Sequence, residues 1–203
     1  MRYAILGAGG MAREVREILV EQGVPGEHIE FFVDASFKAD HPDSREISEL
    51  QSTPFGALRI VMGAGSGELR ETWFRNNPSF ANHLQPLIAP SATLGKRVTL
   101  GTGGLVGHGC ILTCDVSLGK CAQLNIQTSL SHDVTVGDFF TSGPKTTLAG
   151  NVTVGHRVTL GAATTVLPGV SICDDVVVGA GAVVTKDITE PGTYVGVPAK
   201  RIF

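Results

Sequence analysis

The sequence predicts a small α/β region followed by a parallel β-helix. Before residue 86, strand-like apolar segments alternate with helix-like segments; from Ile88 onward, an aliphatic residue recurs at every sixth position and glycine often follows it. A six-residue period is typical of a parallel β-helix, in which each repeat forms one short strand and one corner. We therefore predict two domains, 1–85 and 86–203, with residues 78–90 as the linker into the second.

Five segments before the linker have the composition of strands or helices in an α/β unit. They are a strand at 2–6, a helix at 11–23, a strand at 29–34, a strand that begins at residue 58 and a helix at 68–76. The first helix carries its apolar side chains on one face, which we expect to be buried: Met11, Val15, Ile18 and Leu19. This alternation predicts a small Rossmann-like domain.

The hexapeptide register runs through seventeen consecutive steps without an insertion. The positions are 88, 94, 100, 106, 112, 118, 124, 130, 136, 142, 148, 154, 160, 166, 172, 178 and 184, and sixteen of the seventeen are Ile, Leu or Val, the exception being Ser142. Glycine follows at nine of the seventeen steps, where a sharp corner favours a residue without Cβ. Three hexads close a coil of 18 residues, so a residue at i lies about one strand spacing, roughly 4.8 Å, from that at i+18.

The composition favours a soluble globular protein that binds small molecules. Hydrophobic residues make up 42% of the chain and charged residues 17%, and the formal charge of -3 with a pI near 6.0 gives no broad basic surface for nucleic acid or an anionic membrane. Glycines from position 7 come too early for a signal peptide, which predicts a cytoplasmic protein. The four cysteines form no CxxC pair, and we expect reduced, buried thiols.

A glycine-rich turn connects the first strand to the first helix. The segment GAGGMA fits the pattern G-x-G-x-x-A in the setting where backbone N–H groups approach a phosphate. About 80 residues is short for a two-half dinucleotide fold, and Asp34 at the end of the second strand suits the ribose or base of one mononucleotide. We predict a nucleotide or nucleotide-sugar site; NAD binding and a purely structural turn are the alternatives. Its residues are Gly7, Gly9, Gly10, Met11, Asp34 and Gly63.

Three histidines recur at a spacing of 24 residues, two residues after an aliphatic hexad position: His108, His132 and His156. Because 24 is one coil plus one hexad, each successive histidine moves to another face of the β-helix, and the three side chains cannot converge on a metal ion. His132 differs from the others because Asp133 follows it, and its neighbour one coil on is Gly150. A general base beside a backbone N–H donor is the arrangement that acyl transfer requires.

Several segments together resemble the bacterial sugar acyltransferase family over essentially the whole chain. They are GAGGMAREV, LNIQTSLSHD, GDF, LAGNVTVG, LGAATTVLPGV, VGAGAVVTKDI and GVPAK. The family includes nucleotide-amino-sugar N-acetyltransferases of the bacillosamine and perosamine pathways and sialic-acid O-acetyltransferases. The resemblance implies a left-handed β-helix and a homotrimer with active sites at subunit interfaces. It also implies that acetyl-CoA lies between neighbouring β-helices and that the N-terminal domain holds the nucleotide sugar.

Carried over by position, the resemblance implies a role for each of seven residues. His132 matches the catalytic base, Asn125 matches the polar partner of that base, and Asp133 occupies a position that is often Glu in relatives. Gly150 matches the backbone that meets the thioester carbonyl. Ala162 and Ala180 match contacts to the pantetheine arm, and Lys200 matches a cation near the CoA phosphates. Two positions depart from the family pattern, because Met11 and Thr141 stand where relatives usually or often carry histidine.

The resemblance implies an acetyl-CoA-dependent N-acetyltransferase with no metal. The expected acceptor is the amino group of a nucleotide-linked 4-amino-4-deoxy sugar for bacterial surface glycan synthesis, with UDP, GDP and dTDP all open. The alternatives are an O-acetyltransferase acting on a sialic acid or another sugar hydroxyl, a noncatalytic nucleotide-sugar-binding protein, and an NAD-linked enzyme.

Overall fold

A computed structural model describes residues 1–51, 56 and 58–202. The α/β region consists of β1 (Arg2–Leu6), α1 (Gly10–Glu21), β2 (Ile29–Val33), β3 (Arg45–Glu46), α2 (Ile47–Gln51), β4 (Leu58–Met62) and α3 (Gly67–Asn76), with 3₁₀ turns at Gly26–His28, Ala35–Phe37 and Pro78–Phe80. Phe203, the last residue of the predicted second domain, lies outside the described residues.

Four parallel strands form the sheet of the α/β region in the order β3-β2-β1-β4. This order matches strands 3-2-1-4 of a Rossmann fold, which are one mononucleotide-binding half and the next strand. The five predicted segments are present with ends shifted by at most two residues, whereas β3 and α2 were not predicted. The predicted burial is wrong for Met11, which is only partly buried, because Ala12, Val15 and Leu19 recur at the helical spacing that forms the face toward the sheet.

The predicted linker is partly structured. Leu84 pairs with Ile60 at the edge of the α/β sheet, and the first strand of the β-helix already begins at Leu87. The boundary between residues 85 and 86 stays a prediction.

The rest of the chain winds into a three-sided parallel β-helix of about six turns. Its strands are β5 (Leu87–Ile88), β6 (Thr93–Leu94), β7 (Thr99–Leu100), β8 (Leu105–Val106), β9 (Ile111–Leu112), β10 (Ser117–Leu118), β11 (Gln123–Leu124), β12 (Ser129–Leu130), β13 (Thr135–Val136), β14 (Thr141–Ser142), β15 (Thr147–Leu148), β16 (Thr153–Val154), β17 (Thr159–Leu160), β18 (Thr165–Val166), β19 (Ser171–Ile172), β20 (Val176–Val178), β21 (Val183–Val184), β22 (Gly192–Val195) and β23 (Lys200–Arg201).

From β5 to β21, each β-helix strand pairs with a strand 18 residues away, as the period predicts; β22 pairs with β20 at a spacing of 16, and β23 returns antiparallel to β22. Ser129, for example, pairs with Thr147 in the next coil, and Leu130 pairs with Leu148. The second residue of most strands points inward, so the hexad aliphatics form one continuous core. Stacking of the coils buries side chains that no single coil could shield from water.

The three sheets have eight, six and five strands, and the chain visits them in that order. We call the corner between the eight- and six-stranded sheets the first edge, with Asn125 on it. The corner between the six- and five-stranded sheets is the second edge, with His132 on it, and the last corner is the third edge, with His156 on it.

Arg70 of α3 joins the α/β region to the β-helix. Its side chain is 1% exposed, and in the described part of the chain its guanidinium contacts carbonyl, amide and hydroxyl oxygens but no carboxylate. The acceptors are the backbone oxygens of Ala64 (2.9 Å), Gly65 (3.0 Å), Cys121 (2.9 Å), Phe139 (3.4 Å) and Phe140 (2.9 Å) and the side chains of Gln123 (2.9 Å) and Thr141 (2.8 Å). Burial lowers the pKa of Arg70 to about 10, so the side chain remains a cation at neutral pH.

Arg70→Met is expected to lower the free energy of unfolding by about 3 kcal/mol, because buried carbonyl groups lose their donor. In a chain of this size that corresponds to a fall in Tm of about 6 °C or more. The matched control is Arg75→Met on the same helix, where the side chain is 71% exposed and pairs with Glu71 at 2.7 Å. Thermal unfolding measures both variants, and equal shifts would contradict the structural role of Arg70.

Candidate functional site

His132 and Asp133 form a hydrogen-bonded pair on the second edge. The distance from Nδ1 of His132 to Oδ2 of Asp133 is 2.8 Å, and both side chains are about half exposed. Adjacent residues of an extended strand point to opposite faces, but Asp133 lies at the corner with φ of 60°, which turns its carboxylate back toward the imidazole. A carboxylate on Nδ1 keeps the proton there and leaves Nε2 as the acceptor in the neutral ring.

The His132 ring lies directly over Gly150 in the next coil. A Cβ at Gly150 would come 2.5 Å from Cε1 and 2.6 Å from Nε2 of His132, so only glycine leaves room for the ring in this position. The backbone fixes the stacking, because the N–H of Asn151 donates to the carbonyl of His132 at 3.0 Å. The N–H of Gly150 finds no acceptor among the described residues, and the residue one coil further on is Pro168.

Three corner amides of the third edge contrast with that of Gly150. There the side chain one coil on caps the corresponding N–H: Asp138 accepts from Lys120 at 2.7 Å, His156 accepts from Asp138 at 3.0 Å, and Asp174 accepts from His156 at 2.8 Å. Proline at 168 offers no such acceptor. The Gly150 donor therefore stays available beside an imidazole.

An ion pair lies in the coil that precedes His132. Arg97 contacts Asp115 with both guanidinium arms, and this contact holds the pKa of the Asp115 carboxyl below its usual range. Asp115 occupies the same corner column as Asp133, one coil away. Arg97 therefore balances part of the negative charge on this edge.

The other two histidines lie on separate edges, as the spacing of 24 predicts. On the first edge, Nδ1 of His108 lies 2.9 Å from the hydroxyl of Ser91, and its Nε2 lies 3.6 Å from Glu21 of α1. On the third edge, His156 caps a corner. Within the described ranges, no group of three or more His, Cys, Asp or Glu side chains is arranged to hold a metal ion.

The glycine loops after β1 and β4 face each other across a cleft of about 220 Å³. Five of the predicted nucleotide-site residues line it: Gly7, Gly9, Gly10, Met11 and Gly63. Gly7 has φ of +116°, and a Cβ there would meet the carbonyl oxygen of Gly63 at 2.9 Å. The loops therefore approach each other at a distance that only glycine permits. Helix α1 begins at this cleft with no side-chain cap, so its first N–H groups remain available to an anion.

Asp34 lines a neighbouring cleft of about 300 Å³ rather than the glycine cleft. The indole of Trp73 borders both clefts and donates to Oδ2 of Asp34 at 2.7 Å. One carboxylate oxygen is thus already used, and a role for Asp34 in ligand binding stays a prediction. Trp73, His41 and Ser66 also line the glycine cleft and were not predicted. Of these three, only Ser66 carries a local signal in the sequence, as the cap of α3.

Asn125 lies apart from His132, on the first edge. It lines a groove of about 310 Å³ between α1 and the β-helix, together with Met11, His108 and three glutamates of α1. Met11 borders both this groove and the glycine cleft.

Ala162 and Ala180 stack on the same edge as Asn125, in successive coils, and Lys200 is exposed on β23. The predicted site residues therefore fall on two edges of one chain. No contact joins Asn125 to His132 within the described chain.

The cysteines lie mostly in or near the core. Cys110 and Cys121 are buried, and burial raises the pKa of both thiols, that of Cys121 to about 12. These two side chains are therefore unsuited to nucleophilic catalysis. In the part of the chain that the structure describes, no helix has both the length and the apolar character to cross a membrane.

Comparisons with known proteins agree with this architecture. The family model for the hexapeptide repeat of succinyl-transferase matches residues 151–186. A search of curated protein sequences finds no match. Among solved structures, PerB from Caulobacter crescentus, in complex with CoA and GDP-perosamine, is 31% identical, with a TM-score of 0.90 over 100% of this chain and 98% of that chain.

Two further structures superpose over nearly the whole chain. The acetyltransferase domain of PglB from Neisseria gonorrhoeae, in complex with acetyl coenzyme A, is 26% identical, with a TM-score of 0.90 over 99% of this chain and 98% of that chain. WeeI from Acinetobacter baumannii is 22% identical, with a TM-score of 0.90 over 100% of both chains, which shows the shared fold.

The fold is thus the left-handed parallel β-helix of the acyltransferases, preceded by a Rossmann-like α/β region, and the predicted fold class is confirmed. With 31% identity over its full length, the chain belongs to the hexapeptide-repeat family of bacterial sugar acetyltransferases. The predicted enzyme class, an acyltransferase, is confirmed. No finding tests the predicted roles of individual site residues, which remain predictions.

Gly150→Ala is expected to displace the His132 imidazole with little loss of stability, because only a half-exposed side chain must move. Gly137→Ala is the matched contrast, since its Cβ would meet the backbone of Gly155 at 2.7 Å. We expect Gly137→Ala to lower Tm by roughly 5 °C or more. Thermal unfolding and the imidazole NMR signals of His132 measure the two effects. An unchanged His132 spectrum in Gly150→Ala would contradict the stacking.

Proposed function

We propose that this protein is an acetyl-CoA-dependent N-acetyltransferase that acts on the amino group of a nucleotide-linked 4-amino-4-deoxy sugar. The observation that carries the proposal is the full-length likeness, at 31% identity, to a perosamine N-acetyltransferase whose structure contains CoA and GDP-perosamine. Two related structures are of perosamine N-acetyltransferase variants in which one histidine is replaced by asparagine or alanine. The glycine cleft and the unpaired Gly150 amide supply the features that these substrates require.

We assign the nucleotide to the glycine cleft because the backbone of that cleft suits a diphosphate. A diphosphate needs N–H donors and close backbone approach, and the start of α1 with the Gly7 and Gly63 loops provides both. Because Met11 borders both cavities, a sugar attached to that diphosphate would extend past Met11 into the groove beside Asn125. Methionine at this position offers an apolar surface to the sugar rather than a hydrogen bond.

His132 acts as the general base in this proposal. Its neutral Nε2 accepts a proton as the acceptor nitrogen attacks the acetyl carbon, while Asp133 holds the proton on Nδ1 and stabilises the imidazolium that forms. The N–H of Gly150 donates to the oxyanion of the tetrahedral intermediate. The C–N bond forms, the C–S bond breaks, and the proton on His132 passes to the departing thiolate. The two buried cysteines make no covalent intermediate.

The separation of the site residues onto two edges supports a site shared between chains. His132 and Gly150 lie on the second edge, whereas Asn125, Ala162 and Ala180 lie on the first edge. If the second edge of one copy faces the first edge of its neighbour, one acetyl-CoA contacts both sets. A closed ring of three copies satisfies this head-to-tail contact for every chain, and we propose a homotrimer.

The test is release of free thiol from acetyl-CoA in the presence of UDP-, GDP- and dTDP-linked 4-amino sugars. We expect release with at least one of them, and we expect His132→Ala to lower kcat by about 10² to 10⁴-fold through loss of the general base. His156→Ala, which removes a histidine at the equivalent corner of the third edge, should retain the wild-type rate. Full turnover in His132→Ala would show that another group is the base.

Other acceptors and ligands separate the alternative functions. Thiol release only with a sialic acid or another sugar hydroxyl would replace N-acetylation by O-acetylation. Binding of nucleotide sugars without thiol release would indicate a noncatalytic protein. A fluorescence change on addition of a nicotinamide cofactor would favour the hypothesis of an NAD-linked enzyme.

A further inference from the structure

Ser142 is the one polar residue among the seventeen hexad positions, and it is fully buried. The equivalent positions one coil before and one coil after are Leu124 and Leu160. The space available in the core does not by itself explain why this position carries a hydroxyl group. The neighbouring Phe140 is fully buried at a position where most other coils carry a small or β-branched residue, so the two side chains compensate in size, and alanine at 142 would do so as well.

The hydroxyl of Ser142 replaces a rung of the backbone ladder. In neighbouring coils of this sheet, the residue after the hexad position donates its N–H to a backbone oxygen one coil on. Gly107 donates to Leu124 at 2.8 Å, and Gly143 donates to Leu160 at 2.6 Å. At the same place in its own coil, the N–H of Asn125 donates instead to Oγ of Ser142, at 3.0 Å.

A second buried hydroxyl fixes the first. Oγ1 of Thr128 lies 2.8 Å from Oγ of Ser142, and both residues are 0% exposed. Buried polar groups that are fully hydrogen-bonded hold one geometry, because any other leaves a donor or acceptor unsatisfied. The two hydroxyls therefore fix where the Asn125 backbone lies.

The side chain of Asn125 follows from its backbone. Its Oδ1 accepts from the N–H of the next residue, Ile126, at 2.7 Å, which holds the side-chain amide at the first edge. The amide nitrogen has no partner among the described residues, and the residue borders the groove beside α1. The orientation of that NH₂ donor thus depends on a backbone that Ser142 holds.

We propose that Ser142 is a positioning residue for the acetyl transfer, which acts by holding Asn125 at the groove. The inference rests on the proposed function, in which Asn125 lies beside the bound sugar and acetyl-CoA. Replacement of a hexad aliphatic by serine exchanges apolar contact in the core for a fixed hydrogen-bond acceptor under one corner.

The experiment compares Ser142→Ala with Thr164→Ala in the full-length protein. Thr164 is the matched control, since its fully buried hydroxyl bonds the carbonyl of Gly161 at 2.8 Å at the equivalent corner two coils on from Thr128, with no hydrogen bond to Asn125 in the described part of the chain. We expect Ser142→Ala to lower kcat for thiol release by about tenfold, and Thr164→Ala to leave it within about twofold. In an Asn125→Ala background, Ser142→Ala should cause no further loss, because both changes act through one side chain.

Hydrogen exchange of the Asn125 amide supplies a readout that does not depend on activity. Ser142→Ala should speed that exchange by about tenfold, and Thr164→Ala should not change it. Unchanged exchange in Ser142→Ala, or additive losses of kcat in the double variant, would overturn the positioning role. Absence of thiol release by the wild type with every acceptor would overturn the proposed function, while the exchange result would still report on the contact between Ser142 and Asn125.

Discussion

Parallel pairing between residues 18 apart is the constraint on which the rest of this structure depends. A two-residue strand makes few hydrogen bonds alone, and the β-helix is stable because each rung continues the one before it. A slip of one residue would turn the hexad aliphatics from the core to solvent, so the core fixes the register of every corner. The imidazole of His132 lies over Gly150 for that reason alone. Nothing near either residue in the sequence would bring them together.

The repeat made much of the fold predictable because its information is local and redundant. Sixteen aliphatic positions all indicate the same 18-residue coil. The stacking of His132 on Gly150 and the placement of the three histidines on separate edges follow from that period. The contact between His132 and Asp133 did not follow, since it depends on a positive φ that a non-glycine residue adopts at the corner. The six-residue period already places Asn125 and His132 on different edges, whereas the family resemblance assigned both residues to one catalytic site. In the proposed homotrimer, a neighbouring copy would bring the two edges together.

The α/β region was less predictable because its contacts are tertiary. Arg70 lies on a helix that reads as amphipathic, yet its guanidinium is buried among carbonyl groups of the glycine loop and of two β-helix coils. The indole of Trp73 bonds Asp34 across 39 residues of sequence. No local pattern encodes either contact. Arg70 holds the α/β region on the eight-stranded sheet. Its guanidinium contacts both the glycine loop after β4 and the hydroxyl of Thr141, so one side chain connects the glycine cleft to the coil that carries Ser142.

The most direct measurement is a crystal structure of the protein with a non-hydrolysable acetyl-CoA analogue. We expect the carbonyl oxygen of the analogue to lie about 3 Å from the N–H of Gly150 in one copy, with Nε2 of the same copy's His132 facing the carbonyl carbon. We expect the pantetheine arm to lie along Ala162 and Ala180 of a neighbouring copy. A carbonyl bound away from Gly150, or an analogue held entirely on the first edge of one chain, would contradict it.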